Sequence, residues 1–116
     1  GAHTGAGLGV DFLRHIERTR IIVHLLDIMP MDESDPVENY KKIKKELTAY
    51  SRELGKKKEI IVLNKIDLDP TGEIQKNIKK RLRKKVLVVS GATGKGIREL
   101  CEELFRLVQE QKAKES

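Results

Sequence analysis

The sequence has few of the residues that mark several common classes of protein. Its 116 residues include one cysteine, no tryptophan and 3% aromatic residues. Cys101 alone can form no internal disulfide and no multi-cysteine zinc site, which favours a reducing, cytoplasmic compartment. So few aromatic rings argue against a base-stacking platform for nucleic acid. No run approaches about 18 consecutive apolar residues, so we expect no membrane partner and no membrane-spanning segment.

The start of the sequence lacks two further features. It reads Gly-Ala-His-Thr-Gly, without an initiator methionine and without the basic-then-apolar layout of a signal peptide. We therefore expect the chain to be a piece of a longer protein. Its length suits a single domain, and we expect the polar tail 111–116 to fray.

Charge is abundant where aromatic residues are scarce. The formal net charge is +6, and seven residues between Lys76 and Lys85 are basic while none is acidic. Such a balance suits a polyanionic partner such as RNA, but it also suits a solvated lysine-rich helix. Charge alone leaves both interpretations open.

Three short apolar runs predict the strands of a sheet. They are Ile21–Leu26, Ile60–Leu63 and Val86–Val89, all rich in β-branched residues and unbroken by polar alternation. Strands of this kind are buried on both faces in parallel sheets that helices cover. The sequence therefore predicts an α/β fold with three layers, in which a parallel sheet of three strands has helices on both faces.

Amphipathic segments before, between and after these runs predict four helices. The second has the clearest start, with Asp35 as N-cap and Pro36 in the first turn, and Gly55 is its expected end. Thr71 is the expected cap of the third helix. The first helix is expected to pack through Leu8, Phe12, Leu13 and Ile16. The fourth, from about Gly96, is expected to bury Ile97, Leu100, Cys101, Leu104, Leu107 and Val108.

Two polar clusters follow the second and third strands, where ligands of open α/β sheets bind. Asn64-Lys65-Ile66-Asp67 follows the second strand, and Ser90-Gly91-Ala92 follows the third. The first cluster reads NKxD and resembles the guanine-specificity motif of P-loop GTPases. The second resembles the companion motif of that family, with Gly91 where alanine is usual.

The resemblance implies a role for each residue. Asp67 would accept from the N1–H and the 2-amino group of guanine, a pair of donors that adenine does not offer. The stem of Lys65 would lie along the base, and Asn64 would brace the neighbouring loops. Ser90 would hold the carboxylate of Asp67. A backbone N–H in the Gly91-Ala92 segment would reach guanine O6.

The first 19 residues also resemble a known segment. The glycine-rich run before Leu8-Gly9 and the sequence Asp11-Phe12-Leu13-Arg14-His15-Ile16-Glu17-Arg18-Thr19 are similar to switch II and its helix in Obg-family GTPases. Gly5, Gly7 and Gly9 would be the hinges of that switch. Residues 1–116 would then form a partial G domain, divided into 1–19 (switch II and its helix), 20–67 (ending in NKxD), 68–110 (containing the SGA motif) and the tail 111–116.

Motifs for phosphate and magnesium are missing from these residues. The sequence contains no GxxxxGK[ST], and Gly91–Gly96 is two residues too short to be one. We therefore expect no catalytic residue and no metal ligand here. By resemblance, the parent protein binds GTP or GDP with magnesium, hydrolyses GTP and acts in ribosome assembly, with large-subunit rRNA or ribosomal proteins as partners. The alternative is a non-enzymatic RNA-binding module that uses the basic helix.

Two smaller expectations concern the first strand and the histidines. If the neighbour of Ile21–Leu26 is absent, that strand leaves an apolar edge through which the chain could self-associate. His24, inside the same strand, is expected to be a core histidine with a satisfied hydrogen bond. His15 has no expected role, and His3 is a candidate for approaching the γ-phosphate in the whole protein.

Overall fold

The computed structural model of the chain describes residues 9–115. The strands are β1 (Ile22–Asp27), β2 (Glu59–Asn64) and β3 (Val86–Val88). The helices are α1 (Val10–Glu17), α2 (Pro36–Tyr50), α3 (Arg52–Gly55), α4 (Glu73–Leu82) and α5 (Ile97–Glu115), and a 3-10 turn spans Ile66–Leu68.

The strands form one parallel sheet in the order β1-β2-β3. Asp27 is paired in register with Asn64, and Leu63 with Val88, so the carboxyl ends of the strands lie at one edge. Helices pack on both faces of β2. Ile61 and Leu63 contact the cluster that α2 and α4 contribute, whereas Ile60 and Val62 pack with Leu107 of α5. The predicted α/β architecture is confirmed.

Burial of β1 on both faces was expected, and that expectation is wrong. Leu26 and His24 are buried beneath α2, but Val23 is 42% exposed and Leu25 is 61% exposed on the other face. The apolar residues of α5 pack over β2 and β3 and leave this face of β1 open. Among the described residues β1 pairs with β2 alone, so it is an edge strand.

The N-cap of α2 is confirmed, but the helix is shorter than expected. Asp35 accepts a hydrogen bond from the N–H of Val37 at 2.9 Å. The helix ends at Tyr50 because Ser51 is extended, with φ −160°. Ser51 then caps the short helix α3, which carries the chain to the expected stop at Gly55.

The cap of α4 differs from the prediction. Thr71 makes one long bond of 3.4 Å with the N–H of Glu73. The buried carboxylate of Asp69 instead accepts from the N–H groups of Ile74 at 3.3 Å and Gln75 at 2.9 Å. A carboxylate with two oxygens can satisfy two free amides of a first turn, which a hydroxyl cannot do as well.

The predicted buried stripe of α5 is partly wrong. Leu107 is buried and packs with Leu100 and Leu104, but Cys101 and Ile97 are exposed. Cys101 follows Leu100 by one residue, which turns it about 100° around the helix and away from the sheet. Residues 111–115 of the tail, which was expected to fray, continue α5 to Glu115. There the Glu115 carboxylate pairs with Arg20 at 3.1 Å.

Helix α1 packs mainly against α2 and α3, and Ile22 at the start of β1 joins the same cluster. Leu13 is fully buried with Leu47 and Leu54, whereas Phe12 is half-exposed. Leu8 lies outside the described residues. No helix between residues 9 and 115 has the length and apolar character needed to cross a bilayer.

Candidate functional site

The carboxyl edge of the sheet brings the two polar clusters together. The N–H of Val89 donates to the carbonyl of Leu63 at 2.8 Å, and the N–H of Ile66 donates back to Val89 at 3.3 Å. These backbone bonds continue the sheet beyond β3 and place residues 64–67 beside residues 90–92. The side chains of both clusters therefore meet at one place, as the sequence predicted.

Ser90 and Asp67 are joined by a hydrogen bond. The Ser90 hydroxyl donates to Asp67 Oδ1 at 2.7 Å, which confirms the predicted contact. The same hydroxyl accepts from the N–H of Thr93 at 3.1 Å, and Ser90 is 1% exposed. A hydroxyl has one proton, so the bond from Thr93 orients that proton toward Asp67. The carboxylate itself faces solvent.

Asn64 braces the loop that follows β3. Its Oδ1 accepts from the N–H of Gly91 at 3.2 Å. A side chain at Gly91 would find room, because the nearest atom to an added Cβ is this oxygen at 3.8 Å. The next N–H along the chain, that of Ala92, has no hydrogen-bond partner within residues 9–115. The loop thus offers a free backbone donor beside Asp67.

Lys65 is held by a residue that the sequence motifs did not identify. Its Nζ lies 2.6 Å from Oδ2 of Asp27, the last residue of β1. Burial opposes ionisation of Asp27, but hydrogen bonds from Lys65 and from the N–H of Met29 outweigh it and lower the pKa of this carboxyl. Its position in the sequence could have identified it, because Asp27 directly follows the first apolar run as Asn64 follows the second.

The loop from Ser90 to Gly96 is closed on itself. The N–H of Ser90 donates to Lys95 at 2.9 Å, and Gly94 donates back to the carbonyl of Ser90 at 2.7 Å. Gly96 has φ +81°, and a Cβ added there would lie 2.0 Å from the carbonyl oxygen of Val88. Only glycine fits where the loop turns so close to β3.

An open cleft of about 400 Å³ lies beside the Ser90–Asp67 pair. Its lining combines the two site residues with neighbours from the turn before α4, the start of α4 and the loop before α5. Thr93, Lys95 and Gln75 are among them. The cleft supplies polar groups at the edge that carries both clusters.

The predicted switch residues lie at the start of the chain, mostly outside the described residues. Gly5, Gly7 and His3 lie outside the described residues. Gly9 precedes α1 with φ +87°, a conformation that favours glycine. Within residues 9–115, no three His, Cys, Asp or Glu side chains are grouped so that they could hold a metal ion.

His24 belongs to a second polar cluster at the opposite end of β2. As expected, it is buried and hydrogen-bonded, with Nε2 2.9 Å from Oε2 of Glu59. Glu59 also accepts from Tyr40, Lys44 and Lys84. Burial alone would raise the pKa of Glu59, but these hydrogen bonds, with that of His24 foremost, hold it well below its usual value.

The comparisons with known proteins agree on one family, although no protein-family model matches the chain. The chain is 50% identical over 110 residues to a protein of Endomicrobium trichonymphae named GTPase Obg, covering 94% of this chain and 26% of the relative. A GTPase Obg of Syntrophobacter fumaroxidans is 47% identical over 113 residues, or 95% of this chain and 32% of the relative. One of Caldicellulosiruptor saccharolyticus is 41% identical over 119 aligned positions, covering all of this chain and 28% of the relative.

These alignments cover nearly the whole sequence. The chain spans about a quarter to a third of the length of the curated relatives it matches. The similarity to these relatives, together with the parallel sheet and the NKxD and SGA segments at its carboxyl edge, shows that this chain belongs to the Obg family of GTPases.

Proposed function

We propose that this chain is the guanine-reading part of a G domain, in a protein that binds GTP and GDP. The bond from Ser90 to Asp67 carries the proposal. It occupies one carboxylate oxygen and orients the group, while the other oxygen has no partner among the described residues. An oriented carboxylate with a free oxygen at a solvent-facing edge can accept the paired N1–H and 2-amino donors of guanine.

The surrounding groups support selectivity for guanine. The free N–H of Ala92 is a candidate donor to guanine O6, and the N–H of Gly91 becomes a second one if Asn64 releases it. Adenine carries an amino group where guanine carries O6, so its amino group would face the backbone N–H and two donors would meet. Adenine would also leave the carboxylate of Asp67 without its pair of donors, and a site whose acceptor is left unpaired disfavours that base. Lys65 would cover one face of the base with its aliphatic stem.

Hydrolysis is proposed for the whole protein and not for these 116 residues. The chain contains no GxxxxGK[ST], so the phosphate-binding amides and the magnesium ligand that this motif supplies are not among its residues. By family resemblance, the whole protein hydrolyses GTP with magnesium in the cytoplasm and couples its nucleotide state to ribosome assembly. The names of the relatives favour this role over a module that has abandoned nucleotide.

Calorimetry with nucleotides tests the proposal. The full-length protein should bind GDP and GTP in the presence of magnesium and should discriminate against ADP and ATP. The 116-residue polypeptide should bind GDP more weakly than micromolar, because phosphate contacts supply most of the affinity in this fold. Equal affinity of the full-length protein for ADP and GDP would overturn the guanine-reading role. A micromolar dissociation constant for the polypeptide, about −8 kcal/mol, would show that the base site suffices.

A specific observation also favours contact between α4 and RNA. Of the seven basic residues from Lys76 to Lys85, three are paired: Arg81 with Asp35, Lys84 with Glu59 and Lys85 with Glu103. The other four are exposed and have no ion pair within the described part of the chain; they are Lys76, Lys79, Lys80 and Arg83. Unpaired cations on one helix face are suited to phosphate groups.

Salt dependence tests this interaction in the full-length protein. Replacing Lys79 and Lys80 by glutamate should weaken binding to a large-subunit rRNA fragment. The slope of log affinity against log salt should fall by roughly 0.7–0.9 for each phosphate group that the protein no longer neutralises. The matched control replaces two exposed lysines of α2, Lys42 and Lys45. An equal weakening in both variants would mean that net charge, and not α4, determines binding.

We also propose that the isolated chain associates with itself through β1. The exposed face of Val23 and Leu25 adjoins a strand edge with no partner among the described residues. Unpaired apolar edges are templates for pairing with another chain.

A further inference from the structure

We propose that Asp27 is a positioning residue of the base site, which fixes the side chain of Lys65 at the carboxyl edge of the sheet. This inference rests on the proposed guanine-binding function. It adds to that site a residue from β1, outside both motifs that the sequence revealed.

The contact is built into the register of the sheet. Asp27 is paired with Asn64, so it lies beside the residue that precedes Lys65. Its Oδ2 is 2.6 Å from Lys65 Nζ, and its Oδ1 accepts from the N–H of Met29 at 2.9 Å. With both oxygens engaged, the carboxylate has one orientation, and it directs the lysine side chain toward β1.

Lys65 needs such a partner because its side chain is long and partly exposed. The residue has left-handed backbone angles, φ 68° and ψ 33°, and its side chain is 41% exposed. A free lysine would sample many rotamers, and ordering it on binding weakens affinity by roughly two- to tenfold. A lysine ordered in advance by Asp27 avoids that penalty and presents its stem to the base as a fixed surface.

The base site is thus supported from both sides of β2. On the β3 side, Ser90 orients the carboxylate of Asp67. On the β1 side, Asp27 orients the ammonium group of Lys65. Asp27 is the last residue of β1, and Ser90 lies two residues beyond β3, on the two sides of β2. This arrangement prepares the hydrogen-bonding group and the stacking group before nucleotide arrives.

A double-mutant cycle in the full-length protein tests the proposal. Asp27→Ala should weaken GDP binding by roughly two- to tenfold and leave the preference for guanine over xanthine unchanged, because Asp67 is intact. Lys65→Ala should weaken binding at least as much. The double variant should bind no more weakly than Lys65→Ala alone, because Asp27 acts through Lys65. Glu110→Ala is the matched control, since the exposed carboxylate of Glu110 pairs with Arg106 on α5 and its removal should not affect binding.

Asp27→Asn keeps an acceptor for Met29 while weakening the pair with Lys65, and it replaces the alanine variant if that protein unfolds at a lower temperature. Additive effects in the double variant, or unchanged or tighter binding by Asp27→Asn, would overturn the role of Asp27. A wild-type protein without preference for GDP would instead overturn the proposed function and this inference with it.

Discussion

The Nε2 of His24 lies 2.9 Å from Oε2 of Glu59, at the end of the sheet far from Asp67. Glu59 has four hydrogen-bonding neighbours, of which Tyr40 and Lys44 come from α2 and Lys84 follows α4. One carboxylate therefore ties two helices to the strands. The cluster is structural, and it helps to hold β2 so that Asn64 and Asp67 lie at the opposite edge.

Replacing Glu59 by glutamine should destabilise the fold. The change removes the charge that pairs with two lysines and leaves a partly buried cluster of donors facing an amide. We expect the free energy of unfolding at pH 7 to fall by about 3 kcal/mol, measured by urea unfolding. Glu38→Gln is the control, because its exposed pair with Lys41 should contribute less than about 1 kcal/mol. Equal effects of the two changes would contradict a stabilising role for the cluster.

The stabilisation by Glu59 should also depend on pH. Since its pKa is lower in the folded chain than in the unfolded chain, the contribution is full above the unfolded pKa, about 4.3. It is lost as pH falls toward the folded pKa. The difference in free energy of unfolding between wild type and Glu59→Gln should therefore shrink by about 1.4 kcal/mol for each pH unit below that value. A constant gap between pH 7 and pH 3 would show that ionisation of Glu59 does not matter.

Two glycines of the loop before α5 allow a matched test of its geometry. Gly94 and Gly96 have similar backbone angles, φ +82° and +81°. An added Cβ at Gly94 has nothing within 4 Å, whereas at Gly96 it meets the carbonyl of Val88 at 2.0 Å. Gly96→Ala should lower the free energy of unfolding, measured in urea, by roughly 2 kcal/mol more than Gly94→Ala does. Equal costs would mean that the loop does not lie so close to β3.

The sequence predicted the sheet and the position of the polar clusters better than it predicted which side chains are buried. Apolar runs and the position of NKxD were enough to place Asp67 beside Ser90, because parallel strands end at one edge. Cys101 was assigned to the core since an apolar stripe does not show where a helix meets the sheet. Leu25 was assigned to a covered strand because a run of apolar letters looks the same at the centre and at the edge. Asp27 was missed because its partner is distant in sequence and close only through strand register.

The open face of β1 should cause the 116-residue polypeptide to self-associate. Val23 is 42% exposed and Leu25 is 61% exposed on the edge strand. Light scattering over a range of concentrations should show dimers or larger species, and Val23→Lys should reduce them because a charge opposes edge pairing. Leu68→Lys, at a half-exposed position away from β1, is the control and should change nothing. A wild-type polypeptide that stays monomeric at high concentration would contradict the exposed-edge account.

The most direct test of guanine reading changes Asp67 to asparagine in the full-length protein. In the proposed site the carboxylate would accept two hydrogen bonds from guanine. An amide presents one acceptor and one donor, a pattern that xanthine matches with its additional carbonyl. Competition binding of GTP and XTP should show the wild type preferring GTP and the variant shifted toward XTP, with Ser90 still in contact with residue 67. A variant whose preference for GTP over XTP equals that of the wild type would show that Asp67 does not read the base.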